Sequence, residues 1–382
     1  MANVINLGSY PTDGGVNRED KSLYIGNNRF VRILSQSDPN RVIAVMSEST
    51  DVFSETQTLT NIHEQVILTD TYITNFKIGQ LPSGNIFIFG RDVASSGYTN
   101  KILVIGYDDV NTQFNIVSEH DITSSFDSYL YNMYSFKFET YGSDSLIVMG
   151  ISNNSTVTFA RIDNLEGANN SITKTVYLES SVYGTYFRGE SSSIDIIDDK
   201  AYFKISSTKY YQSTCIDLTS GNILYGGRYY IQSFVKLDTD RFVAIKYDST
   251  RRVMYTISPT YVGSSDQSSA AYFAPIIDHG STEDDNIMSD SIPMDRQHLI
   301  YFYKPENATV VYARFLKVLD EFYGFVSDNS VSGAGITVCN ITSNTSAFDS
   351  YNRGKLVNQI SDTEFWIQTD NNEFTFLTMS TS

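Results

Sequence analysis

Apolar residues at helical spacing are nearly absent from this chain. Short runs rich in Val, Ile, Phe and Tyr recur instead, each followed by a polar turn and a second such run. Seven of these hairpins align by their turns, at 30–46, 75–90, 135–150, 193–205, 231–247, 286–303 and 355–368. The turns read SDPN, PSGN, GSDS, IDDK, DTDR, MDRQ and SDTE. Their Asp, Ser, Gly and Asn residues tolerate left-handed backbone and bond their own main chain, as a tight hairpin requires.

The first apolar residue after each turn is Val42, Ile86, Leu146, Ala201, Phe242, Leu299 and Phe365, at spacings of 44, 60, 55, 41, 57 and 66 residues. Further strand-like runs occupy the intervals, at 101–107, 114–119, 156–162, 172–178, 252–257 and 310–315. A period near 50 with about four strands per unit is the signature of propeller blades.

This unit resembles a blade of the β-propeller superfamily, in which the first two strands flank a PDG-like turn, matched here by Pro82-Ser83-Gly84. The resemblance spans residues 22–382 and lies in pattern rather than in a subfamily motif. The single tryptophan, Trp366, stands in Phe365-Trp366-Ile367, so no WD dipeptide exists. The doublets Gly14-Gly15 and Gly226-Gly227 do not recur per unit, which excludes a kelch array, and the sialidase Asp-box is absent. The fold expected is all-β: a β-propeller of seven four-stranded blades, with eight as the alternative because 322–326 and 336–341 add two runs to the longest interval. A pair of two-sheet sandwiches is the competing architecture. An unpaired edge exposes a row of backbone donors and acceptors. The last unit ends at its third strand, 374–379, so an N-terminal strand, 4–7 or 22–25, is expected to close it. Residues 1–21 then form an arm and 22–382 the propeller.

Composition narrows the function. Hydrophobic residues at 41% and charged residues at 19% describe a folded chain with a substantial core. Lys+Arg 27 against Asp+Glu 44 gives a net charge of -17, which argues against nucleic acid or an anionic membrane as partner. The N-terminus lacks a signal-peptide pattern and no run is long enough for a membrane helix, so synthesis as a soluble cytoplasmic chain is expected. Sequons at Asn153, Asn154, Asn169, Asn307, Asn340 and Asn344 are about as many as chance supplies. Cys215 and Cys339 are too few for a zinc site or a disulfide framework, although a single bridge between them is open.

Catalytic motifs are missing. His63, His120, His279 and His298 lack metal-ligand spacing and read as surface or turn residues. No G-x-S-x-G elbow or Gly-rich phosphate loop occurs. Acidic clusters at Asp108-Asp109, Asp198-Asp199, Asp238/Asp240 and Glu283-Asp284-Asp285 are the only abundant candidates. A glycosidase needs two carboxyl groups about 5–10 Å apart, yet these pairs sit where turn chemistry already favours Asp. Calcium at 283–286 would take oxygen ligands, but the EF-hand spacing is absent. Arg32, Lys77, Lys137 and Lys236 fall in the first runs of hairpins without a common phase, and read as ordinary solvated side chains.

Tyrosine, at 27 residues, is the unusual component. Clusters at 129–134, 210–211, 229–230 and 301–303 combine contact area with low entropy cost, and equally suit half-buried strands. Tyr210, Tyr211, Tyr229 and Tyr230 are the candidate ligand-binding residues; no catalytic residue, metal site or cofactor is expected. Low Lys, Trp and Pro with abundant Ser, Thr, Asn and Tyr is similar in style to bacteriophage virion proteins of tail or head. The function expected is a non-enzymatic virion platform for attachment or receptor binding. Its partners would be other virion proteins and a host surface glycan or receptor. The runner-up is a glycan-binding or glycoside-hydrolysing propeller.

Overall fold

The structure is a computed structural model describing residues 2–10, 17–93, 99–122, 137–151, 156–181, 194–205, 212–227, 231–238, 241–248, 251–257, 274–278, 288–294, 298–304, 310–318, 325–327, 336–340, 357–370 and 372–379. Strand β1 (Ala2–Asn6) comes first, then sheet 1 with β2 (Arg18–Gly26), β3 (Arg29–Ser37), β4 (Asn40–Ser49) and β5 (Leu59–Thr69). Sheet 2 holds β6 (Ile73–Gln80), β7 (Ile86–Asp92), β8 (Thr99–Asp108) and β9 (Gln113–Asp121). Sheet 3 holds β10 (Lys137–Tyr141), β11 (Ser145–Ile151), β12 (Thr156–Asp163) and β13 (Thr173–Ser181). Sheet 4 is β14 (Ile194–Ile197), β15 (Lys200–Ile205), β16 (Gln212–Asp217) and β17 (Ile223–Gly227). Sheet 5 is β18 (Ile231–Asp238), β19 (Arg241–Asp248), β20 (Arg251–Ile257) and β21 (Ala274–Asp278).

Sheet 6 contains β22 (Met288–Pro293), β23 (His298–Lys304), β24 (Val310–Val318), β25 (Phe325–Ser327) and β26 (Ile336–Asn340). Sheet 7 runs β1, β29 (Glu373–Thr378), β28 (Glu364–Asp370) and β27 (Asn358–Gln359), so the two ends of the chain share one sheet.

The expectation of seven or eight four-stranded blades is corrected here. Among the described residues six sheets have four strands, and the remaining one, sheet 6, has five. The runs that suggested an eighth blade are β25 and β26, and both pair with β24. Strand β24 is nine residues long, so its outer edge accommodates two short partners. β25 lies on Leu316–Val318 and β26 on Val310–Ala313. The 1–21 segment contributes β1 and the start of β2 to two different sheets, and Ser22–Ile25 lies within β2.

The first hairpin is also out of phase with the others. Residues 30–46 pair β3 with β4, the second and third strands of sheet 1, whereas every other aligned hairpin joins a first and second strand. The equivalent turn of sheet 1 is Asn27-Asn28, with φ of 51° and 61°, a two-residue turn of the mirror-image type that suits twisted hairpins. Asp198-Asp199 repeats it in sheet 4, with φ of 49° and 57°. The PSGN turn is longer: Gly84 at φ 94° takes the left-handed position that lets Leu81 N–H reach Asn85 O at 2.8 Å.

Packing explains the burial gradient across each sheet. A sheet held between two neighbours buries both faces of its inner strands, and β3 is buried at seven of nine positions. Its outer strand β5 is mostly half-buried or exposed. One apolar cluster joins sheets 7, 1 and 2 through Ile5, Tyr24, Phe30, Phe76, Trp366 and Phe376. Others join sheets 2 and 3, sheets 3 and 4, and sheets 6 and 7. The first strands of sheets 4, 5 and 6 are backbone neighbours, which completes the ring.

Outer edges need protection, because a free strand edge invites pairing with other chains. On β9 it comes from side-chain amides. Gln65 accepts from Phe114 N–H (2.8 Å) and donates to Phe114 O (2.9 Å). Asn169 and Asn170 accept from Glu119 N–H (3.0 Å) and Asp121 N–H (2.8 Å).

Candidate functional site at the channel mouth

Sheets 7 and 1 meet through a cluster of rings. Tyr24 packs edge-on against Phe376 (4.9 Å between centroids) and Trp366 (6.0 Å), and Phe30 lies against Phe374 at 5.1 Å. At the axial end of this seam the innermost strands β27, β2 and β6 surround a cavity of about 260 Å³. Tyr24 and Trp366, 8% and 7% exposed, contribute to its wall from the seam.

Three side-chain amides line the cavity with them: Gln80, Asn358 and Gln359. Each is placed by the end of an inner strand. Ile25 is the extra residue of a bulge between Tyr24 and Gly26, and such bulges redirect backbone beside sites. Gln80 Nε2 donates to Ile25 O (3.4 Å) and to Gly84 O (3.2 Å), tying the bulge to the PSGN turn. Gly79 makes room for the Phe87 ring of the paired strand β7: a Cβ there would lie 2.6 Å from it. Gln359 Nε2 donates to Ser361 O (3.1 Å) within the SDTE turn, whose Ser361 hydroxyl donates to Glu364 (3.0 Å). The Asn358 amide makes no side-chain hydrogen bond among the described residues. Gln359 and Ile360 are exposed at the rim.

Electrostatically this wall is neutral. Its one titratable group is Tyr24, whose phenol is pushed up from the ordinary tyrosine range by burial, against a backbone N–H of Asn28 that lowers it. The nearby Glu364 carboxylate, which is not itself in the wall, adds a further upward push. Amides and a neutral phenol can donate and accept hydrogen bonds, but they cannot act as acid–base pairs near neutral pH.

The acidic clusters lie elsewhere and are used locally. Asp108 accepts from the Val110 and Asn111 N–H groups and from the Asn111 amide, and these bonds hold its carboxyl below the usual range. Asp109 pairs with Arg29 at 2.6 Å. Asp198 pairs with Lys236, and Asp199 accepts from the Tyr141 hydroxyl at 3.0 Å. Asp217 caps its turn through Ser220 and Thr219 N–H, again lowering its carboxyl. Among the described residues no group of three His, Cys, Asp or Glu is placed to hold a metal ion, and no helix is long and apolar enough to cross a membrane.

Other sequence candidates resolve differently. Tyr210, Tyr211, Tyr229 and Tyr230 lie outside the described residues, as do 129–134, His279, Asp240 and 283–285. Tyr301 is fully buried. The basic residues are not ordinary solvated side chains: Lys77 and Lys137 are 3% and 0% exposed, and Arg32, in the second strand β3, pairs with Asp20. His120 is likewise no surface residue. It is buried with Nε2 2.8 Å from Leu165 O, linking sheets 2 and 3. Cys215 is a free buried thiol, pushed up to about 12 chiefly by burial.

Sequence reasoning missed Gln80, Asn358 and Gln359, because single amides far apart in the chain carry no spacing signature. The one available signal was Trp366, a lone tryptophan directly after a hairpin turn.

The chain matches no protein-family profile and no curated protein. Solved structures similar to it include the Dos1 propeller, with 8% identity, TM-score 0.45, 92% of this chain and 76% of that one. The β-propeller domain of Myceliophteria thermophila Cps50 (Swd1) has 8% identity and TM-score 0.44, covering 100% of each chain. An oligogalacturonate lyase in complex with manganese has 10% identity and TM-score 0.44, covering 93% of this chain and 86% of that one. The assignment as a β-propeller rests on the chain's own ring of sheets.

Proposed function

We propose that the chain is a non-enzymatic interaction propeller, a rigid platform that binds a partner rather than transforming a substrate. The observation carrying this reading is the use made of the described carboxylates. Asp108, Asp109, Asp198, Asp199 and Asp217 are each engaged within a turn or with a neighbouring side chain, while the cavity at the channel mouth has no carboxylate in its wall. General acid–base or glycosidic chemistry requires ionisable groups facing a reacting bond. Turn carboxylates committed to the chain's own structure in this way serve shape rather than turnover.

The setting proposed is a bacteriophage particle, where the chain joins other virion proteins and meets a host surface receptor or glycan. Composition supports this: acidic, low in Lys and Pro, rich in Ser, Thr, Asn and Tyr. Mass spectrometry of purified particles from the source tests it. A stoichiometric chain in tail or head is expected, and its absence from particles overturns the virion setting. The hydrolytic runner-up is tested by a broad glycoside screen, in which a turnover above the buffer rate overturns the non-enzymatic reading.

A further inference from the structure

We infer that the channel-mouth cavity is a binding site for one neutral sugar ring, the terminal unit of an uncharged oligosaccharide. The inference rests on the non-enzymatic reading and adds to it a location and a ligand class. The cavity, about 260 Å³, falls just below the roughly 300–1,000 Å³ of sites that enclose drug-sized molecules. That suits a single ring better than a peptide or a chain of sugars. The exposed rim at Gln359 and Ile360 leaves room for further units to run into solvent.

The lining selects for hydroxyl groups without charge. A sugar hydroxyl both donates and accepts: the Asn358 amide can meet either role, Gln359 keeps one N–H and its carbonyl oxygen, and Gln80, whose two N–H groups are already donated, can offer only its carbonyl oxygen. Tyr24 and Trp366, mostly buried in the seam, add a small apolar contact to the cavity wall. An anionic ligand finds no cation in this wall and meets a chain of net charge -17. A divalent cation finds no carboxylate there.

The site is also held in place before any ligand arrives. Gln80 is fixed between Ile25 O and Gly84 O, and Gln359 is fixed to Ser361 O, so less ordering opposes binding than loops would impose. One ring with a few amide contacts should bind with a Kd on the order of 1 mM. Tight avidity then requires several copies of the chain on one particle.

The chain contains a single tryptophan, and it lines the cavity, so its emission reports occupancy without a label. Full-length protein is titrated with neutral di- and trisaccharides ending in glucose, galactose, mannose, xylose or arabinose, and with oligogalacturonate as the charged comparator. Calorimetry runs in parallel, and the sugars are analysed for cleavage afterwards. The expected result is a saturable emission change with one neutral class and none with oligogalacturonate. Asn358→Ala and Gln359→Ala should each weaken that binding about tenfold or more with the melting temperature unchanged. If Gln359→Ala lowers stability, Asn358→Ala still decides, because its amide has no described partner to lose. Flat titrations across all neutral sugars, or tighter binding of oligogalacturonate, overturn the sugar site while leaving the platform reading intact. Binding accompanied by cleavage keeps the site and overturns the non-enzymatic reading.

Discussion

The acidic turns and the channel mouth are the two polar regions of this molecule, and they use polarity in opposite ways. At Asp108, Asp198, Asp199 and Asp217 charge is plentiful, but its oxygens are engaged by turn N–H groups, Lys236 or Tyr141. At the channel mouth there is no charge in the wall, yet three amides and two aromatic rings from four separate strands, β2, β6, β27 and β28, converge on one cavity. Abundant carboxylates therefore mark where the chain reverses direction. A candidate site appears where neutral groups meet across the closure of the ring.

The largest expected effect comes from the seam beneath the cavity. Phe376 is fully buried against Tyr24, Phe30 and Phe53. Phe376→Ala should cost about 3–5 kcal/mol by transfer and cavity terms, lowering the denaturation midpoint and weakening ligand binding together. An acidic-turn variant should separate those two readouts. Asp199 sits at φ 57°, where Ala is strained and Gly is not. Asp199→Ala should destabilise by roughly 1 kcal/mol and Asp199→Gly by less, both with unchanged sugar affinity. A shared loss of affinity would erase the distinction between the regions.

Smaller effects follow from titration. Tyr10, held neutral by burial and its bond to Glu64, has its phenol raised to about 12. A folded-state value above the unfolded one near 10 means that this contribution is complete below about pH 10 and is lost as pH rises toward 12. Asp108 and Asp217 run the other way, since their carboxyls are lowered by hydrogen bonds. Their contribution is present above the usual carboxylate range and fades as pH falls through it. Denaturation followed from pH 3 to pH 11 should show both declines. Sugar affinity should stay flat between about pH 5 and 9, because Tyr24, the cavity's one titratable group, is raised rather than lowered. A bell-shaped binding profile would point to an ionisable group in the site.

Strand-rich, repeated hairpins were legible in the sequence because alternation, turn chemistry and a period near 50 agree with one another. The phase of the first repeat was not. Strand β2 begins Arg-Glu-Asp-Lys, half-buried over those four residues, so it opens without an apolar run, and the Gly26-Asn27-Asn28 turn signal passed behind the stronger β3–β4 hairpin. Two runs looked like an extra blade because pattern reading cannot see that β25 and β26 share one edge of β24. Lys77 and Lys137 read as solvated because charge predicts exposure, whereas inner strands between two sheets bury both faces. The site was the least visible part. Gln80 and Asn358 become neighbours only when the ends of the chain share sheet 7 and that sheet meets sheet 1.

Hydrogen–deuterium exchange with and without a mixture of neutral hexose di- to tetrasaccharides tests the contrast most directly. Occupancy of the channel mouth predicts slowed exchange at residues 23–26, 79–81 and 358–360, with no change at 108–111, 198–200 and 217–221. Protection confined to the acidic turns would contradict the account and return the carboxylates to the centre of the chemistry.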